Sequence, residues 1–547
     1  MTMHRLLSLL AVAGAISAIP GATARAQSAD IETAAAARGI PLPAGYYERV
    51  RRDPDFFEFR HPRRVDLSGS RPGVPGGVSA AVLPSEGEMR MAVVMALFSD
   101  SPEPPLSSAT THQQLFGQNP LGNLTEFYRE MSRGKVSVTG TVFPWVRTGA
   151  TRTTTVGSTM GLGGDAQLGP YMLDALAQLD ATVNFGQYDN DGPDGVPNSG
   201  DDDGLVDITV FQYAEVAASC GSGGSYGPWP HRSTVRNWTE GHQPWMTNDL
   251  RPNGQPVGVD DYIMQSVVDC DGAPQTIATI AHETGHAFGL PDFYHPVGGI
   301  LPTQRRWVMG CFALMAAGSW GCGDGSTFVD VQRPSHMGAY EKRIMGWSDE
   351  VAAGDAAAQL FTLPPVQSTG RTLRIPLRGL QEYLLLEYRP NTGFDAGLPA
   401  NGVLIYHVEP ARPLRPCATC PRIYHVSLKE ADGDGALLRT AEEGGNRGVA
   451  GDVFTGTRIL SDATTPSLRL NSGEPSNLAL SIVVAGGQAQ VGLFRRTVFP
   501  QDRLLGPYLG TTPLTNEEQV AADLFGNGNG RFDLGDVRIH LRSSPAG

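Results

Sequence analysis

Residues 281–292 have the sequence Ala-His-Glu-Thr-Gly-His-Ala-Phe-Gly-Leu-Pro-Asp, and this stretch decides how the surrounding chain is interpreted. His282 and His286 are four residues apart, so on a helix their imidazoles share one face and can reach one zinc ion. Glu283 lies between them and can reach water on the open side of the metal as a general base. The pattern therefore predicts a helix that carries a zinc site.

The residues after the second histidine predict where this helix ends. Gly289 comes about one turn later, where helices commonly finish in a left-handed residue. Pro291 prevents the helix from resuming. The chain must therefore turn back, and we predict that Asp292 returns to the metal as the third ligand.

Length, charge and the N-terminus indicate an exported protein of several domains. A chain of 547 residues is too long for one domain. Its formal net charge of -14 argues against nucleic acid and anionic membranes as partners. Residues 1–26 have a short basic start, an apolar run too short to span a bilayer and a small-residue cleavage site. We therefore predict a signal peptide and a secreted protein without membrane insertion.

Apolar periodicity divides the remaining chain into four parts. Residues 27–86 are rich in Arg and Pro and are either a surface extension or a propeptide that masks the site. Residues 87–350 combine a buried strand at 91–98, further strands and several helices, including those at 124–131 and 334–347, which predicts an α+β catalytic domain. Residues 351–498 are predicted to form an all-β sandwich, with short strands at 371–376, 382–388, 402–408, 423–428, 478–484 and 488–494. Residues 499–547 are predicted to be a linker and a short calcium-loop tail.

Two acidic, glycine-rich segments are candidate calcium sites, because calcium prefers oxygen ligands on tight turns. The first segment contributes Asp189, Asp191, Asp194, Asp201 and Asp203, and the alternative is a solvated acidic loop. The second contributes Asn527, Asn529, Asp533 and Asp536. Phe525 occupies its first ligand position, so a plain polar turn is the alternative there. We also predict that this tail can mediate an interaction.

The six cysteines all follow the predicted signal peptide, and an even number outside the cytosol favours disulfides. Cys417 and Cys420 are predicted to close a small disulfide loop, and a redox or zinc-binding CxxC pair is the alternative. Cys311 and Cys322 flank a Met-containing turn and could bridge it, which would leave Cys220 with Cys270. The sequence alone leaves this connectivity open.

The stretch 282–294 resembles the immune inhibitor A family of secreted bacterial zinc metallopeptidases, and so do several other segments between residues 88 and 350. The resemblance implies a zincin (metzincin-like) domain in which His282 and His286 bind zinc and Glu283 is the general base. Met315 matches the family's Met-turn. Asp292 fills the slot where related enzymes with a longer motif place a third ligand, often a histidine, so His295 is a second candidate. Residues 524–537 resemble one half of a dockerin-type repeat.

These observations predict a secreted zinc endopeptidase that hydrolyses peptide bonds of protein or peptide substrates through a zinc-bound water activated by Glu283. Two alternatives remain open. One is a calcium-dependent binding protein whose protease domain is inert, although the intact His-Glu-His set argues against it. The other is a zinc amidase acting on a non-protein substrate.

Overall fold

A computed structural model describes residues 49, 52–53, 55–60, 86–220, 226–296, 305–323, 333–378, 382–414, 422–496 and 499–543. The predicted signal peptide, most of the 27–86 extension, and Cys417 and Cys420 lie outside these residues. Within them, no helix is both long and apolar enough to cross a lipid bilayer.

The first half of the chain forms one main sheet with helices on both faces. The strands of this sheet are β1 (Gly87–Leu97), β2 (Val136–Val142), β3 (Val146–Arg147), β4 (Ile208–Tyr213), β5 (His231–Thr234) and β8 (Asp261–Ser266). Strands β6 (Trp245–Leu250) and β7 (Pro256–Val259) form a separate antiparallel pair. The helices of this half are α1 (Ser108–Leu115), α2 (Leu124–Ser132), α3 (Arg152–Val156), α4 (Leu168–Asp180) and α5 (Ala278–Ala287). The strand order of the main sheet is β2-β1-β4-β8-β5, with β3 pairing separately with β1. All pairs in it are parallel except β5, which runs antiparallel to β8 at the edge.

The continuous apolar run in strand β1 reflects the burial of both faces of the strand. Met91 and Val93 face the cluster that contains α2 and α5, whereas Ala92 and Val94 face the cluster that contains α4. A strand covered by helices on both faces needs apolar residues at every position, not at alternate ones. The predicted buried strand is therefore confirmed, and it divides the domain into two cores.

Helix α2 links the sheet to α5. Its capping box is formed by Asn123 and Glu126, which satisfy backbone N–H groups that the first turn leaves unpaired. The Tyr128 hydroxyl donates to the Ala281 carbonyl at 2.6 Å, inside the shared core. This bond attaches α2 directly to the helix that carries the predicted site.

Between this sheet and the second half of the chain lie the short strands β9 (His295–Pro296) and β10 (Arg305–Arg306), which pair with each other, and helix α6 (Ala339–Ile344). Helix α6 is shorter than the helix predicted for 334–347, so those bounds were wrong. Gly338 is its N-cap and donates its N–H to Glu341 Oε2 at 2.5 Å, which fixes the start of the helix five residues later than predicted.

The second half folds as two stacked sheets. It contains β11 (Asp349–Ala352), β12 (Ala358–Leu363), α7 (Val366–Thr369), β13 (Arg371–Arg378), β14 (Glu382–Arg389), β15 (Gly402–Val408), β16 (Val426–Leu428), β17 (Thr457–Ser461), β18 (Leu478–Ala485) and β19 (Gln488–Arg495). One sheet has the order β11-β13-β14-β15-β16 and the other β12-β19-β18-β17. Leu384 and Leu386 of the first sheet share a buried cluster with Ile482 and Val491 of the second.

The two halves are joined by a continuous core. Tyr383, Leu385, Leu404 and Tyr406 lie on the opposite face of the first sandwich sheet and belong to the same cluster as α5. The first sandwich sheet is therefore buried on both faces.

The disulfide pairs Cys220–Cys270 and Cys311–Cys322 are present, with Cα atoms 5.2 and 5.1 Å apart. The sequence left this pairing open, and the structure decides it.

The C-terminal segment contains three helices in addition to its loop. It forms α8 (Gln501–Leu509), α9 (Asn516–Leu524) and α10 (Leu534–Ser543). Phe499, Leu504, Ala522 and Val537 form a small apolar cluster between these helices. These three helices were not predicted from the sequence, and the dockerin-like calcium-loop tail stays a prediction.

Candidate metal centre

Helix α5 orients the two histidines of the predicted site toward one point. His282 Nδ1 lies 3.1 Å from the Leu314 carbonyl oxygen, and His286 Nδ1 lies 2.7 Å from that of Leu290. Because a carbonyl oxygen only accepts, each Nδ1 is the donor and each neutral ring has its lone pair on Nε2. The two Nε2 atoms are 3.2 Å apart. Backbone contacts of this kind fix the tautomer in metal-binding histidines.

Asp292 completes this group, as the turn after the helix predicts. Gly289 has a φ of +87°, so the chain reverses through a left-handed residue. Asp292 Oδ1 then lies 3.0 Å from His282 Nε2 and 3.3 Å from His286 Nε2. His282, His286 and Asp292 each offer one ligand atom within 4.8 Å of the others. Two imidazoles and one carboxylate form a donor set that zinc binds in proteins.

The electrostatics of this group demand a positive charge at the shared point. Burial lowers the pKa of His282, but the hydrogen bond and charge of Asp292 outweigh it and raise that pKa above its ordinary value. Burial raises the pKa of Asp292, but His286, His282 and Arg232 outweigh it and hold the pKa well below its ordinary value. Either a proton or a metal cation can supply the charge, and metal binding to such ligands displaces protons.

The floor of the group is the predicted Met-containing turn. Met315 is fully buried, and a Cβ added at Gly285 would lie 2.4 Å from its sulfur. The Met315 carbonyl accepts from Phe293 N at 2.8 Å, and its N–H donates to Glu341 Oε1 at 2.7 Å. Gly285 on α5 is therefore the residue that lets this turn pack directly beneath the two histidines.

Arg232 on the edge strand β5 was missed by the sequence analysis. Its Nη1 donates to Glu283 Oε2 at 3.2 Å, and its Nη2 lies 3.6 Å from Asp292 Oδ2. Its side chain is 11% exposed. The only sequence signal was its position directly after the Trp229-Pro-His231 segment. Arg232 thus joins the predicted base to the predicted third ligand.

The N-terminal segment reaches the same arginine. Glu58 Oε2 accepts from Arg232 Nη2 at 3.0 Å, and the Phe56 carbonyl accepts from the Ser233 hydroxyl at 2.6 Å. Phe56 and Phe57 are buried against the domain. Residues 55–60 therefore contact strand β5 beside the candidate site.

His295 does not join the group. Its Nδ1 lies 2.9 Å from the Tyr424 hydroxyl, and its ring is buried against Tyr424. Of the two candidates for a third ligand, the structure brings Asp292 to the histidines and leaves His295 outside. Tyr294 lies closer, with its ring stacked 6.5 Å from that of His282.

Residues 107–348 match the family model of the immune inhibitor A peptidase M6, catalytic domain. Immune inhibitor A of Bacillus thuringiensis subsp. alesti is 28% identical over 270 residues, which cover 44% of this chain and 36% of that protein. A pre-pro-metalloprotease, PrtV, of Vibrio cholerae serotype O1 (strain M66-2) is 26% identical over 232 residues, which cover 41% of this chain and 23% of that protein. The chain therefore spans about a third or less of the length of these relatives. The match confirms the resemblance of this stretch to a peptidase catalytic domain, whereas the dockerin resemblance stays a prediction.

The first acidic segment brings together three of its five predicted ligands. Asp189, Asp191 and Asp203 offer oxygens within 4.8 Å of one another. Asp189 is fully buried, and in the described part of the chain neither of its carboxylate oxygens has a hydrogen-bond partner. Burial, followed by neighbouring acids, raises its pKa to about 8. Asp194 and Asp201 are exposed and bond locally, accepting from the N–H groups of Val196 and Asp194 respectively.

The tail loop is held together by its own side chains. Asn527 and Asn529 donate their amide N–H groups to Asp533 at 3.0 and 2.8 Å, and Asp536 accepts from Asn527 N at 2.7 Å. Asp523 also reaches this loop, because its Oδ2 accepts from Gly530 N at 3.1 Å. Asp523 Oδ1 is buried, and no described residue forms a hydrogen bond with it. The sequence alignment with a calcium loop placed Phe525 in the first position and therefore missed Asp523.

Proposed function

We propose that the chain is a secreted zinc-dependent endopeptidase that acts on protein or peptide substrates. His282, His286 and Asp292 would hold the zinc ion, and Glu283 would be the general base. The observation that carries this proposal is the convergence of two imidazoles and a carboxylate on one point, next to a glutamate, in a stretch similar to a peptidase catalytic domain. Export is supported by residues 1–26 and by the two disulfides, which form outside the cytosol.

Zinc, when bound, lowers the pKa of a water molecule toward neutrality and polarises a carbonyl group. Glu283 would remove a proton from that water and deliver it to the leaving amine. Arg232 donates to Glu283 Oε2, so the proton is expected on Oε1. Arg232 would therefore act as a positioning residue that fixes the direction in which the base points.

The general-base role is tested by Glu283→Gln, assayed on a casein-type substrate together with zinc content. Cleavage should fall by a factor of about 10² or more, because general-base catalysis contributes that much. Zinc content should stay at the wild-type level, since Glu283 is not a proposed ligand. The exposed Glu103→Gln is the matched control and should retain both properties. Unchanged cleavage by Glu283→Gln would refute the mechanism.

The metal requirement is tested on the wild-type chain. A chelator should abolish cleavage, and added zinc should restore it. Zinc content near zero in the purified protein would favour an inert domain instead. Digestion of a peptide library separates an endopeptidase from a zinc amidase, because only the former cleaves internal peptide bonds of the library.

We also propose that residues 27–86 are a propeptide that restrains the site. Support comes from the contact of Glu58 with Arg232 and from the burial of Phe56 and Phe57. One relative is itself named a pre-pro-metalloprotease. Glu58→Gln removes the charge that competes for Arg232, so basal cleavage by the full-length chain should rise. The exposed Asp55→Asn is the matched control. Equal cleavage by both variants would contradict this role.

Calcium is proposed for the first acidic segment. Support comes from the buried, unpartnered carboxylate of Asp189, which lies beside Asp191 and Asp203. Oxygen ligands of this kind suit calcium. Asp189→Asn should reduce the amount of calcium bound per chain, whereas Asp194→Asn, outside the three-residue group, should not. Equal calcium content in the two variants would contradict the assignment. For the tail loop, calcium binding and a partner interaction stay predictions.

A further inference from the structure

A second group of carboxylates lies in the sandwich half, far along the chain from the candidate zinc site. Glu430, Asp432 and Asp452 offer oxygens within 4.8 Å of one another. Glu430 and Asp452 are 5% and 0% exposed, so two of the three charges are largely removed from solvent. Burying carboxylates side by side is unfavourable without a compensating positive charge.

Hydrogen bonds account for only one of the two carboxylate oxygens of Asp452. Its Oδ2 accepts from Val449 N at 2.7 Å, but its Oδ1 is buried and has no hydrogen-bond partner among the residues that the structure describes. A buried, unpartnered carboxylate oxygen is rare in folded proteins and calls for an explanation such as an ion. Asp452 is therefore an observation independent of the mere clustering of acids.

The backbone around the group brings the carboxylates together from two loops. Glu430 accepts from the N–H groups of Ala436 and Leu437 at 2.7 and 3.2 Å, which closes the first loop. A Cβ added at Gly451 would lie 2.4 Å from Asp432 Oδ2. The second loop thus approaches the first so closely that a side chain at position 451 would clash with Asp432.

These two loops hold the segment that forms the floor of the candidate zinc site. The Leu437 carbonyl accepts from Val308 N at 3.0 Å, and the Arg447 carbonyl accepts from Cys311 N at 2.6 Å. Gly323 N donates to the Gly448 carbonyl at 2.9 Å. Residues 308–323 include Met315, so whatever orders the two loops also supports the turn beneath the histidines.

We propose that Glu430, Asp432 and Asp452 bind a calcium ion that fixes these loops and, through them, the floor of the candidate zinc site. The chemistry is that of calcium, because the group consists of oxygen ligands from glycine-containing loops and contains no nitrogen or sulfur ligand among the three residues. The site is separate from Asp189 in sequence and does not depend on the proposed peptidase activity.

The number of bound calcium ions tests the proposal. The full chain is loaded with calcium chloride, desalted and analysed for calcium per chain by elemental analysis. Asp452→Asn should bind one calcium ion fewer than the wild type. Asp355→Asn, an exposed aspartate of the same half, is the matched control and should bind the wild-type number. Asp189→Asn reports separately on the other acidic loop, so the failure of one assignment is distinct from the failure of the other. Equal calcium content in Asp452→Asn and Asp355→Asn would overturn the proposal.

Thermal unfolding separates a lost calcium site from a loop that is merely damaged. In excess chelator, Asp452→Asn should be at least as stable as the wild type, because it removes a buried charge that has no counter-ion. With calcium added, the midpoint of the wild type should rise and that of Asp452→Asn should rise less. If Asp452→Asn lowers the midpoint equally with and without calcium, Asp452 supports the loop only through its bond to Val449, and the site is refuted.

Discussion

Neutralising Glu387 should reveal how strongly the sandwich is coupled to the candidate site. Glu387 is fully buried on β14 and accepts from Lys342 Nζ of α6 at 2.7 Å. It also accepts from Arg389 Nη1 at 3.1 Å and from the Tyr406 hydroxyl at 2.9 Å. Glu387→Gln keeps the shape of the side chain but leaves Lys342 without its closest counter-ion.

The loss of stability in Glu387→Gln depends on how deeply the Glu387–Lys342 ion pair is buried. Removing one partner of a buried ion pair costs about 3–5 kcal/mol, because the remaining charge is left desolvated. Since glutamine can still accept one hydrogen bond, we expect a loss of about 3 kcal/mol. The pair of Asp349 and Arg371 has the same 2.7 Å separation, but its side chains are 45% and 38% exposed. Asp349→Asn should therefore cost less than about 1 kcal/mol.

Urea unfolding of the wild type, Glu387→Gln and Asp349→Asn measures both values under identical conditions. The loss of about 3 kcal/mol in Glu387→Gln corresponds to roughly 6–12 °C in the thermal midpoint of a unit of this size. Zinc retention should also weaken in Glu387→Gln, because Arg389, which pairs with Glu387, donates to the Phe312 carbonyl three residues before Met315. If the two variants lose stability equally, burial does not control the strength of these pairs, and the reasoning is wrong.

Three further substitutions probe the domain around α5. Tyr128→Phe removes the bond to Ala281 and should lower the free energy of unfolding by about 1 kcal/mol; no change in urea unfolding would show that the bond contributes nothing. Gly289→Ala forces alanine into φ +87° and should cost about 1–2 kcal/mol; a more stable variant in thermal unfolding would contradict this. Burial raises the pKa of Glu130 from 4.5 to about 7. The folded state then binds more protons than the unfolded state between these values, so stability falls as pH rises through this window. Glu130→Gln should flatten that decline, and an unchanged slope in unfolding at pH 5 and 7 would argue against it.

The elements that the sequence predicted well have strong local patterns. The apolar run at 91–98 specifies a strand that is buried on both faces, and the helical spacing at 124–131 specifies α2. In the sandwich, the predicted strands are the well-buried ones. The strands that were missed, β11, β12 and β17, each lie at the edge of a sheet. Edge strands expose more side chains, so their apolar alternation is weak.

The candidate site also combines residues that the sequence predicted with residues that it did not. The spacing of His282 and His286 and the left-handed position of Gly289 are local, so the sequence alone was enough to place them. Arg232 is 51 residues from Glu283 and 174 residues from Glu58. No periodicity connects positions so far apart, because their contact depends on strand β5 running along the edge of the sheet. The group at Glu430 and Asp452 was missed for the same reason, since two separate loops form it.

The sequence by itself determined the candidate metal-binding motif, the helix that carries it, the turn that returns Asp292 and the alternation of helical and β-rich halves. These features follow from backbone preferences and side-chain periodicity within about 15 residues. Only the tertiary structure decided which acids meet, which arginine joins the base to the third ligand, and how the sandwich supports the Met315 turn. Those contacts arise where distant segments pack, and packing depends on the whole fold. The candidate metal-binding motif is therefore a local property of residues 281–292, whereas the electrostatic setting of the site belongs to the folded chain.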